Sequence, residues 1–494
     1  MSGSAPRVLE LDPQPDPLDC CAGCSDLPFL LFLDSAAHSE HLGRYSFLAA
    51  DPAIVVRSKG GRAERCSTGT AAWQPLAGDP LEVVRALLRE HVAPAVPGLP
   101  PFQGGAAGYI GYDWGAGLER IAPARFDDLA IPDCMLGLYD WVIAWDHQVR
   151  RAWLISTGMP ASGADRARRA AERGEFVLAR VTGDRGPRDA AARRPSRPAP
   201  RGPEPPLYEL SGAAGIRSNF SRAGYLDAVR RVVEYVFAGD IFQANLSQRL
   251  QCPIVGPPLA LYRRLRQRNP APFSAFLDFG ELVIASSSPE RFLRISPDTR
   301  LVEARPIKGT RPRGLGPEHD AALGQALTES EKDRAENVMI VDLLRNDLSR
   351  VCRPGSVHAP ELFALEHYAT VHHLVSTVVG ELDAGFDAVD LLRAAFPGGS
   401  ITGAPKVRAM QIIAQLEPTQ RGVYCGSIGY LSVTGALDTS IVIRTYLVLG
   451  DDVYFQVGGG IVADSDPEQE YRETLDKARG LIAALGDAHE GRTP

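Results

Sequence analysis

The stretch Val423-Tyr-Cys-Gly-Ser-Ile-Gly-Tyr-Leu-Ser432 opens the series of strand-like segments that decides the fold class. Two further apolar runs, Thr439 to Leu449 and Val453 to Val457, follow it before the last helical pattern, Pro467 to Leu485. Parallel neighbours need a long crossover, usually a helix, whereas antiparallel strands can follow one another directly. This succession of strands therefore favours an antiparallel-rich α+β architecture over a doubly wound parallel sheet.

The same two kinds of pattern recur along the rest of the chain. Short apolar runs bounded by turns indicate strands, and apolar residues spaced by three or four indicate helices. The further strands are predicted at Pro28 to Leu33, Tyr45 to Ala49, Ala53 to Val56, Gly108 to Tyr112, Leu136 to Trp145 and Leu282 to Ala285, and the further helices at Arg222 to Ala238, Lys332 to Leu348 and Lys406 to Leu416.

One segment differs in composition from its surroundings. Residues 161–206 contain eleven arginines and no lysine, with many alanines first and then proline and glycine. This composition predicts a helical stretch that passes into a flexible linker. It divides an amino-terminal region, residues 1–160, from a carboxy-terminal region, residues 207–487.

The composition also argues against several functions. The chain has 494 residues and a net charge of −7, and it lacks a recognisable nucleic-acid-binding motif, so no nucleic-acid partner is predicted. No run of about 18 apolar residues is present to span a bilayer, and Met1 to Asp19 lacks the apolar centre of a secretory signal. We therefore predict a cytoplasmic protein with no membrane partner.

Cys20, Cys21 and Cys24 lack a second cysteine or histidine pair, so they fall short of a zinc site.

A single lysine, Lys308, stands in the segment Arg305-Pro-Ile-Lys-Gly-Thr-Arg-Pro-Arg-Gly314. The prolines and glycines of this segment predict that a defined loop presents the amine. The flanking arginines would lower the pKa of the lysine by like-charge repulsion and would attract an anion, which suits a nucleophilic amine. A loop lysine is more often a solvated surface charge, so the segment alone leaves both interpretations open.

Two predicted helices carry acidic faces, which are candidate metal sites. The side chains that share a face by their spacing are Asp333 and Glu336 on one helix, and Glu470, Glu473 and Lys477 on the other. Two such faces can hold Mg²⁺, which prefers oxygen ligands. Acidic residues in a first turn are also favoured by the helix dipole alone, so each pair taken singly is more often a solvated face.

Four further features could bind an anionic substrate or move a proton. Gly458-Gly-Gly460 follows a predicted strand, which indicates a turn whose backbone N–H groups face an anion. Arg444 lies inside an apolar predicted strand, where a buried guanidinium needs an anion. His373 could orient or protonate a substrate oxygen, although a hydrogen-bonded core histidine is the commoner case. Glu290, at a predicted strand end, is a candidate acid, with a plain turn carboxylate as the alternative.

Taken together, these segments resemble the chorismate-utilising enzymes, a family that includes anthranilate synthase component I, aminodeoxychorismate synthase component I and the isochorismate and salicylate synthases. The resemblance runs from about Phe220 to Leu485. The blocks that carry it are Gly239 to Gln248, Ala335 to Asp347, His373 to Ser376, Phe396 to Met410 and Asp464 to Lys477, with looser matches at Gly43 to Phe47 and Gly108 to Tyr112. It implies a large antiparallel-rich two-sheet sandwich with helices packed outside.

The resemblance also implies roles for the candidate residues. Glu336 and Glu473 would hold Mg²⁺ against the ring carboxylate of chorismate, with Asp333 and Glu470 as nearby supports. The groups that would bind the enolpyruvyl carboxylate or line the ring side are Arg444, Lys477, the backbone of Gly458, Gly459 and Gly460, Ser400 and His373. A dianionic substrate in an acidic protein requires such a local arrangement of cations.

Lys308 discriminates within the family. Anthranilate synthases resemble this segment with alanine at that position, whereas Pro-Ile-Lys-Gly-Thr is the pattern of the members that aminate carbon 4. The resemblance implies that Lys308 attacks carbon 2 while the hydroxyl leaves carbon 4, with Glu290 as the acid, and that ammonia then enters at carbon 4. The implied product is 4-amino-4-deoxychorismate, a precursor of 4-aminobenzoate and folate.

A partner subunit, a candidate tryptophan pocket and two alternative functions follow from the same resemblance. The chain has no glutaminase signature, so a separate glutamine amidotransferase subunit would supply the ammonia. The segment Phe32-Leu-Asp-Ser35 has aspartate where the family often has glutamate, and it places Ser35 in a candidate tryptophan pocket. The alternative functions are anthranilate synthase component I and a catalytically silent chorismate-binding subunit.

Overall fold

The computed structural model describes residues 5–38, 42–67, 72–183, 203–368 and 371–486. Its strands in chain order are β1 (Arg7–Glu10), β2 (Leu30–Asp34), β3 (Tyr45–Ala49), β4 (Ile54–Lys59), β5 (Arg62–Ser67), β6 (Gln74–Leu76), β7 (Gly105–Ile110), β8 (Cys134–Tyr139), β9 (Trp141–Asp146), β10 (Arg151–Ser156), β11 (Tyr208–Glu209), β12 (Arg217–Ser218), β13 (Gln243–Pro253), β14 (Phe273–Asp278), β15 (Val283–Ser288), β16 (Arg291–Ser296), β17 (Leu301–Ala304), β18 (Ile307–Pro312), β19 (His358–His367), β20 (Val371–Glu381), β21 (Gly403–Ala404), β22 (Ser427–Ser432), β23 (Leu437–Ile441), β24 (Thr445–Leu449) and β25 (Asp452–Ile461).

Helices surround these strands. In chain order they are α1 (Pro17–Gly23), α2 (Pro80–Glu90), α3 (Tyr112–Leu118), α4 (Gly163–Thr182), α5 (Arg222–Phe237), α6 (Pro258–Arg268), α7 (Pro317–Glu329), α8 (Glu331–Ser349), α9 (Ala388–Ala395), α10 (Lys406–Leu416) and α11 (Pro467–Leu485), with a 3₁₀ turn at Gly399–Ile401. The last helix begins as predicted, because the Asp466 carboxylate accepts a hydrogen bond from the Gln469 N–H and Pro467 occupies the first turn.

The described strands form two sheets in which the named strands pair antiparallel. The first sheet has the order β1-β10-β9-β3-β2-β14-β15-β24-β25-β13-β12-β11, and β21 also pairs with β13. The second has the order β18-β20-β17-β16-β23-β22-β7-β8-β4-β5-β6, and β19 also pairs with β20. The predicted α+β class with two antiparallel-rich sheets is confirmed.

The sheets pack against each other and the helices cover their outer faces. Phe47 of the first sheet lies 5.4 Å, centroid to centroid, from Tyr430 of the second, within a buried cluster that takes residues from both. A second cluster packs α6 and α11 on the first sheet, and a third packs α2, α8 and α9 on the second. Burial of this apolar surface stabilises the sandwich, at about 25 cal/mol per Å².

Two predicted strands are each split into two. The run Leu136 to Trp145 forms β8 and β9, and the run Thr439 to Leu449 forms β23 and β24, so in both cases the chain leaves one sheet and enters the other. Arg444, predicted within a strand, instead lies between β23 and β24 with φ of 51°. The prediction failed because a left-handed residue breaks a strand without any glycine or proline to signal the break.

The crossings between sheets bring two candidate residues together. Glu290 lies on the connection from β15 to β16, and Arg444 lies on the connection from β23 to β24. The Ile441 N–H donates to the Glu290 carbonyl, and the Ser287 N–H donates to the Arg444 carbonyl, at 3.0 and 3.1 Å. The two connections therefore run side by side, where the sheets exchange strands.

The predicted division of the chain does not follow the sheets. Strands from before residue 160 and strands from after residue 207 occur in both sheets. Helix α4 occupies the first half of the arginine-rich segment, and residues 184–202 lie outside the described residues. The three-region division stays a prediction. No helix among the described residues is long and apolar enough to cross a bilayer.

Candidate active site

Lys308 lies in strand β18, not in the predicted loop. Between Ile307 and Thr310 the pairing of β18 with β20 shifts register, and Gly309 has φ of 83°. Such a bulge re-aims a side chain within a strand. The prolines and glycines of the segment therefore mark a distorted edge strand, on which the missing proline N–H groups are tolerated.

The surroundings of Lys308 differ from the prediction. Its side chain is half-buried, and burial lowers the pKa of the ammonium while the charges of Glu336 and Glu290 oppose that shift. The flanking arginines do not cause it, because each pairs with a carboxylate. These pairs are Arg305 with Glu366, Arg311 with Asp333, and Arg313 with Asp320.

Glu290 and Ser400 adjoin the lysine. The Lys308 Nζ donates to the Ser400 carbonyl at 3.3 Å, and the Ser400 hydroxyl donates to Glu290 Oε1 at 2.7 Å. Burial raises the pKa of Glu290 to about 7, although Ser400 and the charge of Lys308 partly offset this rise. A lowered pKa of the amine and a raised pKa of the carboxyl bring the two groups closer in proton affinity, which favours proton transfer at the site.

Arg444, on the connection from β23 to β24, interacts electrostatically with Glu290. Burial lowers the pKa of its guanidinium, and the charge of Glu290 offsets this only in part. Among the described residues none makes a hydrogen bond or ion pair with the Arg444 side chain. A desolvated guanidinium without such a partner is suited to a substrate anion.

His373, on β20, is a neutral ring in this setting. Burial lowers its pKa to about 3, and the charge of Arg444 contributes. The Nδ1 atom of His373 lies 2.9 Å from the Thr310 hydroxyl. A neutral imidazole can orient a substrate oxygen by hydrogen bonding, but it does not deliver a proton as an imidazolium would.

Helices α8 and α11 bring the predicted acidic faces to the same site. Burial raises the pKa of Glu336, and the charge of Glu473 adds to the rise. Burial would raise the pKa of Glu473 as well, but Lys477, 2.7 Å away, and two further lysines lower it. The Lys477 Nζ also donates to the Gly458 carbonyl at 2.9 Å.

The three glycines do not form the predicted turn. Gly458, Gly459 and Gly460 continue strand β25 and pair with Ser247, Leu246 and Asn245 of β13. A Cβ atom at Gly459 would lie 3.1 Å from Glu470 Oε2 and 3.6 Å from Glu473 Oε1. The glycines therefore let the acidic face of α11 approach the strand, instead of ending it.

The Mg²⁺ site at Glu336 and Glu473 stays a prediction, although the two carboxylates interact electrostatically. The described residues contain no group of three or more potential ligands around one point. Mg²⁺ is usually held by one or two carboxylates, with water and substrate oxygens in the other positions. Asp333 and Glu470 are bound to Arg311 and Ser465 respectively, which suits them to support the pair and not to replace it.

The sequence analysis missed Gln243 and Asn245. The Gln243 amide is fully buried, and neither its nitrogen nor its oxygen has a hydrogen-bond partner within the described part of the chain. Asn245, two residues along β13, donates to the same Ser400 carbonyl that Lys308 contacts, at 2.9 Å. A Cβ at Gly460 would lie 2.5 Å from the Gln243 nitrogen. The alternation of two amides on one strand face was the only signal in the sequence.

Ser35 lies elsewhere, in a separate cavity of about 260 Å³. Its lining includes Ser35, Tyr45 and Arg291 and none of the residues that surround Lys308. The Ser35 hydroxyl donates to the Tyr45 carbonyl at 2.6 Å, and neighbouring Asp34 is paired with Arg266. The tryptophan pocket at Ser35 stays a prediction.

The fold and the site define the class of protein. A profile of the family described as "chorismate binding enzyme" matches residues 31–483. The chain belongs to this family.

Particular relatives extend over nearly the whole chain. Aminodeoxychorismate synthase component 1 of Salmonella typhimurium is 41% identical over 489 residues, which covers 98% of this chain and 99% of that protein. Anthranilate synthase component 1 of Cereibacter sphaeroides is 41% identical over 465 residues, covering 92% and 89%. Overall identity therefore does not separate the two activities.

Solved structures agree with the fold. Anthranilate synthase component I from Streptococcus pneumoniae superposes with a TM-score of 0.74 at 30% identity, covering 91% of this chain and 95% of that one. The menaquinone-specific isochorismate synthase from Escherichia coli, at 19% identity and a TM-score of 0.68, covers 98% and 96% and shares the fold.

Proposed function

We propose that this protein aminates chorismate at carbon 4 with ammonia to give 4-amino-4-deoxychorismate. The observation that carries the proposal is the position of Lys308 beside Glu290 and Ser400, in a chain whose relatives include aminodeoxychorismate synthase component 1. A lysine at this point gives a nucleophile that an alanine could not provide. The product would serve the synthesis of 4-aminobenzoate and folate in the cytoplasm.

The reaction proceeds in two balanced displacements. The Lys308 amine bonds to carbon 2, the two ring double bonds each shift by one position, and the carbon 4 hydroxyl leaves as water with the proton of Glu290. Ammonia then bonds to carbon 4, the double bonds shift back, and the bond from Lys308 to carbon 2 breaks. Glu290, now a carboxylate, accepts the proton that ammonia loses.

Cationic groups bind the two carboxylates of chorismate. Arg444 and Lys477 suit the enolpyruvyl carboxylate, since Arg444 lacks a partner among the described residues and Lys477 lies over Gly458. The neutral ring of His373 orients the substrate by hydrogen bonding. Glu336 and Glu473 would hold Mg²⁺, which when bound neutralises the ring carboxylate.

Gln243 suits ammonia, because its unpaired amide offers both a donor and an acceptor to a small polar molecule. Gln243 lies on the same strand as Asn245. The Asn245 amide and the Lys308 amine both donate a hydrogen bond to the Ser400 carbonyl. The ammonia would come from a glutamine amidotransferase subunit, and the designation of the relatives as component 1 supports a second subunit.

The test is to incubate the pure protein with chorismate, Mg²⁺ and an ammonium salt and to identify the product by mass. We expect 4-amino-4-deoxychorismate without pyruvate release at alkaline pH, where free ammonia is present, and no product with glutamine alone. Addition of a cognate glutaminase subunit should restore the use of glutamine. Glutamine hydrolysis by this chain alone would contradict the need for a partner.

The second candidate function is that of anthranilate synthase component I. It is favoured by relatives of that name with equal identity and by the structure from Streptococcus pneumoniae. The same incubation separates the two, because fluorescent anthranilate and pyruvate would appear. A silent chorismate-binding subunit would give no product while still binding chorismate.

Binding of tryptophan at the Ser35 cavity is tested in the same assay, by adding tryptophan to the wild type and to Ser35→Ala.

A further inference from the structure

The strand that carries Lys308 has weak support from its neighbour. Strand β18 begins after Pro306 and ends at Pro312, and neither residue can donate a backbone hydrogen bond. Lys308 and Gly309 have no partner residue in the pairing of β18 with β20, because the register shifts there. The position of the Lys308 amine therefore depends on contacts outside the sheet.

Asp320, on helix α7, provides such contacts. Its carboxylate accepts hydrogen bonds from Arg313 Nε and Nη2 at 2.7 and 2.6 Å and from the Gly314 N–H at 2.8 Å. It also lies 2.9 Å from Nε2 of His372, a buried side chain on β20. One carboxylate thus joins the residues that follow the Lys308 strand to the strand that carries His373.

The local sequence permits this close approach. A Cβ atom at Gly314 would lie 2.3 Å from the backbone nitrogen of Asp320, so a larger residue would push the segment away from α7. Arg313 also donates to the Tyr368 carbonyl at 2.9 Å. Hydrogen bonds to charged groups are stronger than neutral ones, and a two-pronged arginine contact fixes orientation as well as distance.

We propose that Asp320 is a positioning residue that aligns Lys308 with Glu290 and His373 by joining the Arg313–Gly314 segment to His372. The proposal rests on the proposed role of Lys308 as a nucleophile. His372 acts as the second arm of the junction, because its Nε2–H donates to Asp320 while its Nδ1 lies 2.7 Å from Nδ1 of His367. The alternative is that the junction only stabilises the fold.

The experiment compares Asp320→Asn with wild type at a temperature well below unfolding of either. We expect kcat to fall about 10- to 100-fold with the KM for chorismate nearly unchanged, since small misplacements of reacting groups cost up to about 100-fold. The second measurement is the rate at which trinitrobenzenesulfonate labels Lys308 without substrate, followed by peptide mass; we expect at least a threefold change. Asp342→Asn, which breaks an exposed Asp342–Arg345 pair of 2.9 Å, is the matched control and should change neither quantity.

A second pair of variants tests the hydrogen bond between His372 and Asp320. His372→Asn keeps a side-chain N–H donor for Asp320, whereas His372→Leu removes it, so kcat should be largely retained in the first and reduced in the second. Equal kcat in these two variants, or an unchanged rate of Lys308 labelling in Asp320→Asn, would overturn the positioning role. Labelling of Lys308 does not require turnover, so it tests the positioning role of Asp320 independently of catalysis. An active Lys308→Ala variant would instead reject the proposed nucleophilic role of Lys308.

Discussion

Glu290 and Glu473 both act on the charge of Lys308, yet their surroundings shift their pKa values in opposite directions. Glu290 lies where the two sheets exchange strands, and burial raises its pKa to about 7. Glu473 lies on the exposed face of α11, where the lysines around it outweigh partial burial and lower its pKa. One glutamate can therefore hold a proton near neutral pH, and the other stays ionised.

The difference shows how one site combines acid chemistry with anion binding. On the side of the sheets, burial favours the neutral forms of Lys308, Glu290 and His373, which is the state needed for attack and proton transfer. On the side of the helices, Glu473 keeps its charge, which is the state needed to bind a cation, whereas burial raises the pKa of Glu336. Substitutions at Lys308 or Glu290 should consequently impair the chemical step, whereas substitutions at Glu336 or Glu473 should impair Mg²⁺ binding.

The largest effect is expected from Lys308→Ala. Loss of the nucleophile should lower kcat for amination by about three powers of ten or more, which at about 1.4 kcal/mol per factor of ten is about 4 kcal/mol of barrier. The KM for chorismate should change little. Lys308→Arg should be no better, because guanidinium stays charged and cannot attack. A rate near that of the wild type in both variants would reduce Lys308 to an electrostatic role.

Glu336→Gln and Glu473→Gln test the helix side. Each removes a charged oxygen ligand, and we expect kcat/KM to fall about 100-fold, with the Mg²⁺ concentration for half-maximal rate raised about 10-fold or more. Titration with Mg²⁺ at fixed chorismate measures both quantities. Glu331→Gln, at the exposed start of α8, is the control. A wild type that works fully in excess chelator would contradict the metal assignment.

The sequence predicted regular elements better than it predicted the site geometry. Helix α11 has the predicted bounds, because Asp466 and Pro467 mark its start and its apolar spacing is regular. The break at Arg444 and the bulge at Lys308 were missed, since both result from how strands meet in three dimensions. The unpaired amide of Gln243 was also missed, because burial and hydrogen-bond partners belong to the folded chain.

Glu290→Gln should have its clearest effect on stability. The folded-state pKa of about 7 exceeds the ordinary value of 4.5, so the folded protein keeps this proton while the unfolded chain loses it. The contribution of Glu290 to the free energy of unfolding of the wild type is therefore fully present below pH 4.5, and it is lost as the pH rises to about 7. At pH 8 the variant should be more stable than wild type by up to about 3 kcal/mol, at 1.36 kcal/mol per pH unit.

Urea unfolding at pH 4.5 and pH 8 measures this difference. The gain in stability of Glu290→Gln should be small at pH 4.5, and at pH 8, where free ammonia is present, the variant should also lose amination. Glu329→Gln, on the exposed face of α7, should show no such dependence on pH. An equal gain at both pH values would mean that ionisation of Glu290 is not its cause.

The smallest effect is expected from Gln243→Leu, which tests whether the Gln243 amide binds the ammonia that attacks carbon 4. A leucine cannot hydrogen-bond ammonia, so kcat/KM for ammonium should fall about 10-fold, or about 1.4 kcal/mol, while the KM for chorismate stays unchanged. Burying an apolar group in place of two unpaired amide atoms should also stabilise the fold slightly. Gln251→Leu, on the same strand, should leave ammonium kinetics unchanged. If both variants raise the KM for chorismate equally, Gln243 shapes the strand and does not hold the amine.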